Sequence, residues 1–303
     1  MRLTNSTVIT SLAWACLCGV GLFFPCVAIG SSSVDICQEP PSETQLAIAY
    51  YSHENSSLQR GPGATSRVEY RSDLLLKLDN KWTVGFGHRS AILNVDNLAL
   101  QTNGYLHTFF LPVHRTKRVD GKSFRLSVSP VLSGSSNVVK DPSEYTVDAF
   151  QLLAAMVWSK QISDQLSLSY GACGDHRFGG FQAYPVIGVD WQPHPDWRVE
   201  LGFPVSRLKY QVTKSFDLLL RAFPNGNEWY VKSKNLEKDS SLAYEAYVLE
   251  SAFRWRLHQQ IELTASVGRE LDARYEMTLL DDSRVRLSSD SSTRVGVAFA
   301  WYF

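Results

Sequence analysis

From Gln45 to the end of the chain, apolar and polar residues alternate. Leu166, Leu168 and Tyr170 take every second position against Ser167, Ser169 and Gly171. Pro185, Ile187, Val189 and Trp191 do the same against Tyr184, Val186, Gly188 and Asp190. A tight turn at Pro193-His194-Pro195-Asp196 follows, and Trp197, Val199, Leu201 and Phe203 then oppose Arg198 and Glu200. Further on, Tyr247, Leu249, Phe253, Trp255 and Leu257 oppose Glu250, Arg254 and Arg256, and Ile261, Leu263, Ala265 and Val267 oppose Glu262, Thr264 and Ser266. The last eleven residues, TRVGVAFAWYF, put Val295, Val297, Phe299, Trp301 and Phe303 at alternate positions. A period of two is the period of a strand with unlike faces. The pattern predicts an all-β protein. Val147 to Trp158 also fits a helix but reads better as an apolar strand, and segments 92–103, 133–143 and 233–242 carry loop chemistry.

The first thirty residues break the pattern. Arg2 is their one charge, an apolar run follows from Leu12 to Phe24, and small residues come at Ala28 and Gly30. That order is the order of a secretory signal. The run is shorter than the ~20 residues of a spanning helix, so a membrane anchor is the weaker alternative. The expected organisation is a signal peptide at 1–30, a flexible leader at 31–43 and one β domain at 44–303. Outside the signal the cysteines are Cys37 and Cys173. An exported chain can oxidise such a pair, but the sequence does not say whether these two meet, and they lack metal-ligand spacing.

No later stretch is apolar for long enough to span as a helix, which leaves a secreted β-sandwich or a membrane β-barrel. Tryptophans decide between them. Trp82, Trp191, Trp197, Trp229, Trp255 and Trp301 fall near strand ends, two of them flanking one short turn. Membrane barrels carry aromatic girdles at the lipid boundary, whereas a sandwich buries its tryptophans in mid-strand. The expected fold is a closed antiparallel transmembrane β-barrel of about twelve strands, with ten the next choice and up to fourteen accommodated. Phe203-Pro204 and Leu280 to Arg284 are the places where the count turns on a strand or a turn.

The chain end resembles the closing strand of bacterial outer-membrane barrels. In those proteins this strand carries the signal read by the barrel-assembly machinery, and Phe is its commonest last residue. The resemblance implies an outer-membrane location in a Gram-negative-type bacterium, with Val295, Val297, Phe299, Trp301 and Phe303 as the assembly signal. A second resemblance is narrower. Pro185, Gly188, Trp191, Pro193, Trp197, Pro204, Arg207, Leu208 and Tyr210 are similar to the central motif of an outer-membrane barrel family known as a domain of unknown function, DUF6268. It implies the fold and names no reaction and no ligand.

Charge and chemistry narrow the function. Lys plus Arg and Asp plus Glu are 30 each, so no basic excess points to nucleic acid. Asp175-His176 sits in a Gly-rich stretch and reads as polar loop, since neighbours on a strand point opposite ways. His194 reads as a turn residue. The chain has no Gly-x-Ser-x-Gly, no His-Glu-x-x-His and no phosphate loop. No enzyme, cofactor or metal site is expected, and an outer-membrane hydrolase is the least favoured reading. The alternation directs Glu250, Arg254, Arg256, Glu262 and Arg294 into the lumen, with Arg274, Glu276, Arg284 and Arg286 joining them if it persists. Two functions fit: a narrow pore for small solutes, anions among them, or a filled structural or surface-binding barrel without conductance. Lipid and the assembly machinery are the expected partners.

Overall fold

The computed structural model describes residues 35–59, 63–95, 104–141, 147–232, 239–278 and 283–303. Its strands are β1 Gln45–Ser57, β2 Ala64–Lys77, β3 Trp82–Val95, β4 Gly104–Phe110, β5 Val113–Val119, β6 Lys122–Ser135, β7 Phe150–Ser163 and β8 Leu166–Asp175. They continue as β9 Gln182–His194, β10 Trp197–Phe203, β11 Ser206–Thr213, β12 Phe216–Lys232, β13 Asp239–His258, β14 Ile261–Thr278, β15 Arg284–Ser288 and β16 Ser292–Tyr302. Sequential strands pair antiparallel in one sheet of sixteen. β4 and β5 both pair with β3 and β6, so they form one broken stave, as do β15 and β16 beside β14. Fourteen staves result, the upper end of the expected range. The ring closes where β1 pairs with β16 from Gln45↔Tyr302 to His53↔Arg294. Closure leaves no row of unpaired backbone groups facing lipid, where each would cost several kcal/mol.

Val147–Ala149 is a 3-10 turn, and the strand reading holds from Phe150 onward. The only α-helix among the described residues is the short Ser136–Lys140, and none is long and apolar enough to cross a membrane. At one rim, the turn rim, the connections are short. Four of them, at 164–165, 195–196, 214–215 and 259–260, have two residues, as does Asp120-Gly121. There φ is 48° at Asp120 and 70° at Gly121, the left-handed pair that matches the twist of a two-residue hairpin. Both the start of β1 and the carboxy terminus lie at this rim. At the opposite, loop rim most connections are longer. The exception is Phe203-Pro204-Val205-Ser206, where the chain turns through a cis Phe203–Pro204 bond; Pro204 lies in a turn and needs no ladder donor. The residues 279–282, which contain most of the other doubtful place, lie outside the described residues.

Burial is inverted relative to a soluble protein. Ile187, Leu201 and Val297 are 60%, 60% and 58% exposed, whereas Arg254 and Arg294 are 1% exposed. A sandwich would hide the first set and hydrate the second. Here the apolar set is the face presented to lipid. Trp82, Trp191, Trp197, Trp255 and Trp301 ring the turn rim, all exposed. Tyr50 and Tyr70, 5.3 Å apart, mark the other side of the apolar band.

Toward the loop rim the wall changes character. β8 ends at Asp175, β10 ends at Phe203 opposite Ile187, and β11 begins at Ser206 opposite Ala222, while β12 runs on to Lys232. The low side of the wall lets β12 lean across the barrel. Tyr230 meets Gly134 of β6 in one parallel bridge, and the Ser133 hydroxyl donates to the Glu228 carbonyl (2.6 Å). The smaller ring so formed is filled with apolar side chains, among them Leu93, Leu106, Trp229, Leu242, Tyr244 and Tyr275. Three neighbouring staves change phase below it. β1 shifts register between His53 and Ser56, β14 carries an extra residue at Asp272 (φ 55°), and the third is broken between β15 and β16. Each added residue moves the following side chains to the opposite face.

Candidate functional site

The lumen has two unlike walls. The charged wall is built by β1, β2, β11 to β14 and β16, whose inward positions carry the alternating polar residues. Near the turn rim the Asp217 carboxylate takes Arg256 (2.9 Å), Lys209 (3.4 Å) and Arg254 (3.7 Å), and Arg254 also meets Glu262 (3.3 Å). At mid-height Glu250 bridges Arg221 and Arg294, the latter at 3.0 Å. The Arg294 guanidinium lies 3.8 Å over the Tyr51 ring. Nearer the loop rim, Arg67 joins Glu69 (2.8 Å) and Glu270 (2.7 Å) and stacks on Tyr244 (3.7 Å), while Tyr244 donates its hydroxyl proton to Glu270. Each of these buried groups has a partner of opposite charge, and removing one leaves the other unpaired.

The opposite wall, on β6 to β9, carries an apolar cluster on its inner face, where Val131, Leu153, Ala155, Val157 and Val186 are buried, beside the buried polar positions Arg125, Ser127 and Ser129 of β6. The leader packs against it. Ile36 is 1% exposed within this cluster. Cys37 forms a disulfide with Cys173 on the inner face of β8, with Cα atoms 5.8 Å apart. The Arg177 guanidinium reaches Asp35 (2.5 Å) and Asp175 (2.6 Å). Burial alone would raise the Asp35 carboxyl, but the Arg177 charge outweighs it and holds the group below its ordinary value. Arg125 donates to the Cys37 carbonyl (2.9 Å) and Arg207 to the Gln38 side-chain oxygen (3.0 Å). Residues 35–38 of the leader thus lie inside the barrel as a plug.

A cavity of ≈ 150 Å³ remains between the plug and the charged wall. Arg71, Arg294 and Asn225 line one side of it, and Ile36, Phe110 and Leu153 the other. Toward the turn rim, beyond the leader, the barrel opens into a bowl of ≈ 980 Å³. Toward the loop rim stands the apolar filling that includes Trp229 and Leu242.

The profile of a family described as Domain of unknown function (DUF6268) matches residues 118–283, more than half of the chain. The chain belongs to the DUF6268 family. No curated protein matches the sequence. Among solved structures, similar chains include the TodX monoaromatic hydrocarbon channel deltaS2 mutant, with a TM-score of 0.49 and 10% identity over 90% of this chain and 93% of that one. The P. putida toluene transporter TodX has a TM-score of 0.44 and 11% identity over 87% and 91%. The NanC porin has a TM-score of 0.42 and 7% identity over 85% and 100%.

The DUF6268 motif residues lie on β9, β10, β11 and their turns. Trp197 and Tyr210 are cross-strand partners stacked at 4.5 Å in the girdle, beside the Trp191↔Val199 pair. A Cβ on Gly188 would sit 2.8 Å from the Ser169 hydroxyl, so the bare backbone permits that approach. Pro185 and Pro193 lie on β9, Pro204 follows the cis bond, and Leu208 is the outward-phase neighbour of Arg207. Arg207 is the motif residue that reaches the leader, and it also meets Glu200 (3.2 Å).

In this DUF6268 chain Glu250, Arg254, Arg256, Glu262 and Arg294 are all buried on the inner side of β13, β14 and β16. Val295, Val297, Trp301 and Phe303 are exposed on the outer side, with Phe299 in the same phase between its partners Ile48 and Leu263. Two expectations are corrected. Arg274, Glu276, Arg284 and Arg286 do not turn inward, because the Asp272 bulge reverses the phase; Arg274 and Arg286 are 57% and 69% exposed as side chains. Trp229 is not a girdle residue, since it lies in the apolar filling. Asp175 and His176 form no acid–base pair: Asp175 is bound to Arg177, and burial pushes the His176 imidazole down to about 4. The leader's role escaped the sequence reading. Its one visible signal was a lone cysteine in each of two places, Cys37 in the leader and Cys173 between Gly171 and Gly174.

Proposed function

We propose that the protein is an outer-membrane barrel providing a narrow path for small anionic solutes, closed at rest by its own leader. The turn rim, which carries both the start of β1 and the carboxy-terminal Phe303, faces the periplasm in this reading, and the loops face outward. The observation that carries the proposal is the plug itself. A segment outside the β-ring occupies the lumen beside a cavity rimmed by Arg71 and Arg294, and it is held by one covalent bond and a few polar contacts. Arginines facing a confined, water-poor space favour anions over cations. The last strand serves as the assembly signal, with Phe303 at its end.

The test is planar-bilayer recording of the mature protein and of a variant lacking residues 31–43. The leader-free barrel is expected to conduct in steps and to show an anion-selective reversal potential under a salt gradient, while the intact oxidised protein is nearly silent. Silence of both proteins across salts and voltages refutes the proposal. It would favour the second reading, a permanently filled barrel, for which the apolar filling around Trp229 and Leu242 speaks directly.

A further inference from the structure

The lumen cavity has a composition that neither closure nor stability requires. On one side the Nε atoms of Arg71 and Arg294 and the Nδ2 atom of Asn225 are buried without a hydrogen-bond acceptor. These three residues come from β2, β16 and β12, separate staves that the ring brings together. Arg71 donates to the Asn225 side-chain oxygen (3.3 Å), which turns the Asn225 amide donors away from Arg71. Arg294 is 1% exposed and spends one terminal nitrogen on Glu250 (3.0 Å). Donors left over in a buried space are costly unless something accepts from them. The facing side is different in kind. Ile36, Phe110 and Leu153 offer no polar side-chain atom and form an apolar strip of the lining, edged by Asp35, Arg89 and Gln151. A space between an apolar strip and three unused donors, two of them on guanidinium groups, matches a molecule with one anionic end and one apolar end.

We infer that this cavity is a binding site for a small monocarboxylate with an apolar body. The carboxylate accepts from Arg71, Arg294 and Asn225, and the hydrocarbon part lies against Ile36, Phe110 and Leu153. A space of ≈ 150 Å³ admits a body of roughly benzene size, so larger amphiphiles are excluded. Bidentate acceptance by a planar carboxylate is the geometry guanidinium forks favour. Because Ile36 is part of the leader, the plug supplies one wall of the site. A bound ligand therefore stabilises the docked leader instead of competing with it. The inference rests on the lumen being the working part of the protein, as in the function proposed above, but it is read by binding and not by conductance.

The experiment is a thermal-unfolding titration of the full mature protein in detergent, incubated with benzoate or butyrate, with benzamide and butyramide as uncharged counterparts and inorganic phosphate as an anion without an apolar body. It is run on oxidised and on dithiothreitol-treated protein, so that a closed plug does not bar entry. The carboxylates are expected to raise the midpoint in a saturable way. The amides are expected to bind about tenfold more weakly or worse, since a charged hydrogen bond is lost, and phosphate to bind weakly for want of apolar contact. Asn225→Leu, which leaves the Glu250 ion pairs intact, should weaken carboxylate binding about tenfold while the ligand-free midpoint moves little. Equal shifts with acid and amide, or no saturable shift in either redox state, overturn the inference. If carboxylates bind but the leader-free barrel never conducts, the site stands and the path falls; conduction without binding has the opposite meaning.

Discussion

Reduction of Cys37–Cys173 should release the leader, and the magnitudes say why. Full burial of Ile36 contributes about 2 kcal/mol. The Asp35–Arg177 bond, a buried charge-assisted pair, adds about 2 kcal/mol, and the hydrogen bonds from Arg125 to Cys37 and from Arg207 to Gln38 add about 1 kcal/mol each. The sum is about 6 kcal/mol. Ordering Asp35 to Gln38 costs about 6 kcal/mol at ~1.5 kcal/mol per residue. The two cancel to within their spread, so non-covalent contacts alone leave the leader poised between docked and free. The disulfide removes the choice by keeping Cys37 beside Cys173. The assay is limited proteolysis with a non-specific protease, read by mass spectrometry of the leader peptides. Oxidised protein should keep residues 35–38 intact while reduced protein and a Cys37→Ser/Cys173→Ser variant lose them at least several-fold faster. Equal protection in all three forms would refute the reasoning, because it would mean that the contacts suffice without the bond.

Three further outcomes follow from the charged wall, the plug and the chain end. Arg294→Met leaves Glu250 with Arg221 alone and should cost about 3 kcal/mol in urea unfolding, whereas Glu250→Gln takes the carboxylate from Arg221 and Arg294 together and should cost more; a smaller loss for Glu250→Gln would show that the shared carboxylate is not what holds the two arginines. Acidification should destabilise the fold in two stages: His176, pushed down from 6.5 to about 4 by burial against the opposing Asp175 charge, withdraws stability as the pH falls through that window. Asp35, held below its ordinary value by Arg177, withdraws more only as the pH falls below that value, so an unfolding midpoint that stays flat between pH 7 and pH 4 would contradict the His176 part. Deleting Phe303, whose ring lies 4.5 Å from that of Trp301, should lower the amount of barrel inserted in cells without moving the unfolding midpoint of purified, refolded protein; a lowered midpoint would make Phe303 a structural residue and not a signal.

The sequence spelled out the wall better than the contents. Alternation is legible because one face of each stave meets lipid and the other meets charge, as at Trp255 and Arg256. Where both faces are apolar the code fails. Phe150 to Trp158 looked compatible with a helix because Leu152 and Met156 face lipid while Leu153, Ala155 and Val157 face the leader. A phase change was equally hidden. Nothing local marks Asp272 as a bulge, since an aspartate tolerates the left-handed region without requiring it. The leader's destination depends on contacts between residues more than a hundred positions apart, such as Asp35 and Arg177, which a period of two does not encode.

The Asp272 bulge has a meaning for how the molecule is divided. Below it, Leu271 and Val267 face outward on β14 and the solvent of that face is hydrocarbon. Above it, Arg274 and Glu276 face outward and Ala273, Tyr275 and Met277 face in, which is the arrangement of an ordinary water-soluble sandwich. One strand therefore obeys two solvents in succession, and a single residue is the waterline. Deleting Asp272 would carry the lipid pattern upward, turning tyrosine and methionine toward water and arginine into a dry interior. The loop-rim extension is in effect a soluble half-domain grown from a membrane protein, held together by the aqueous hydrophobic effect that the band beneath it does without.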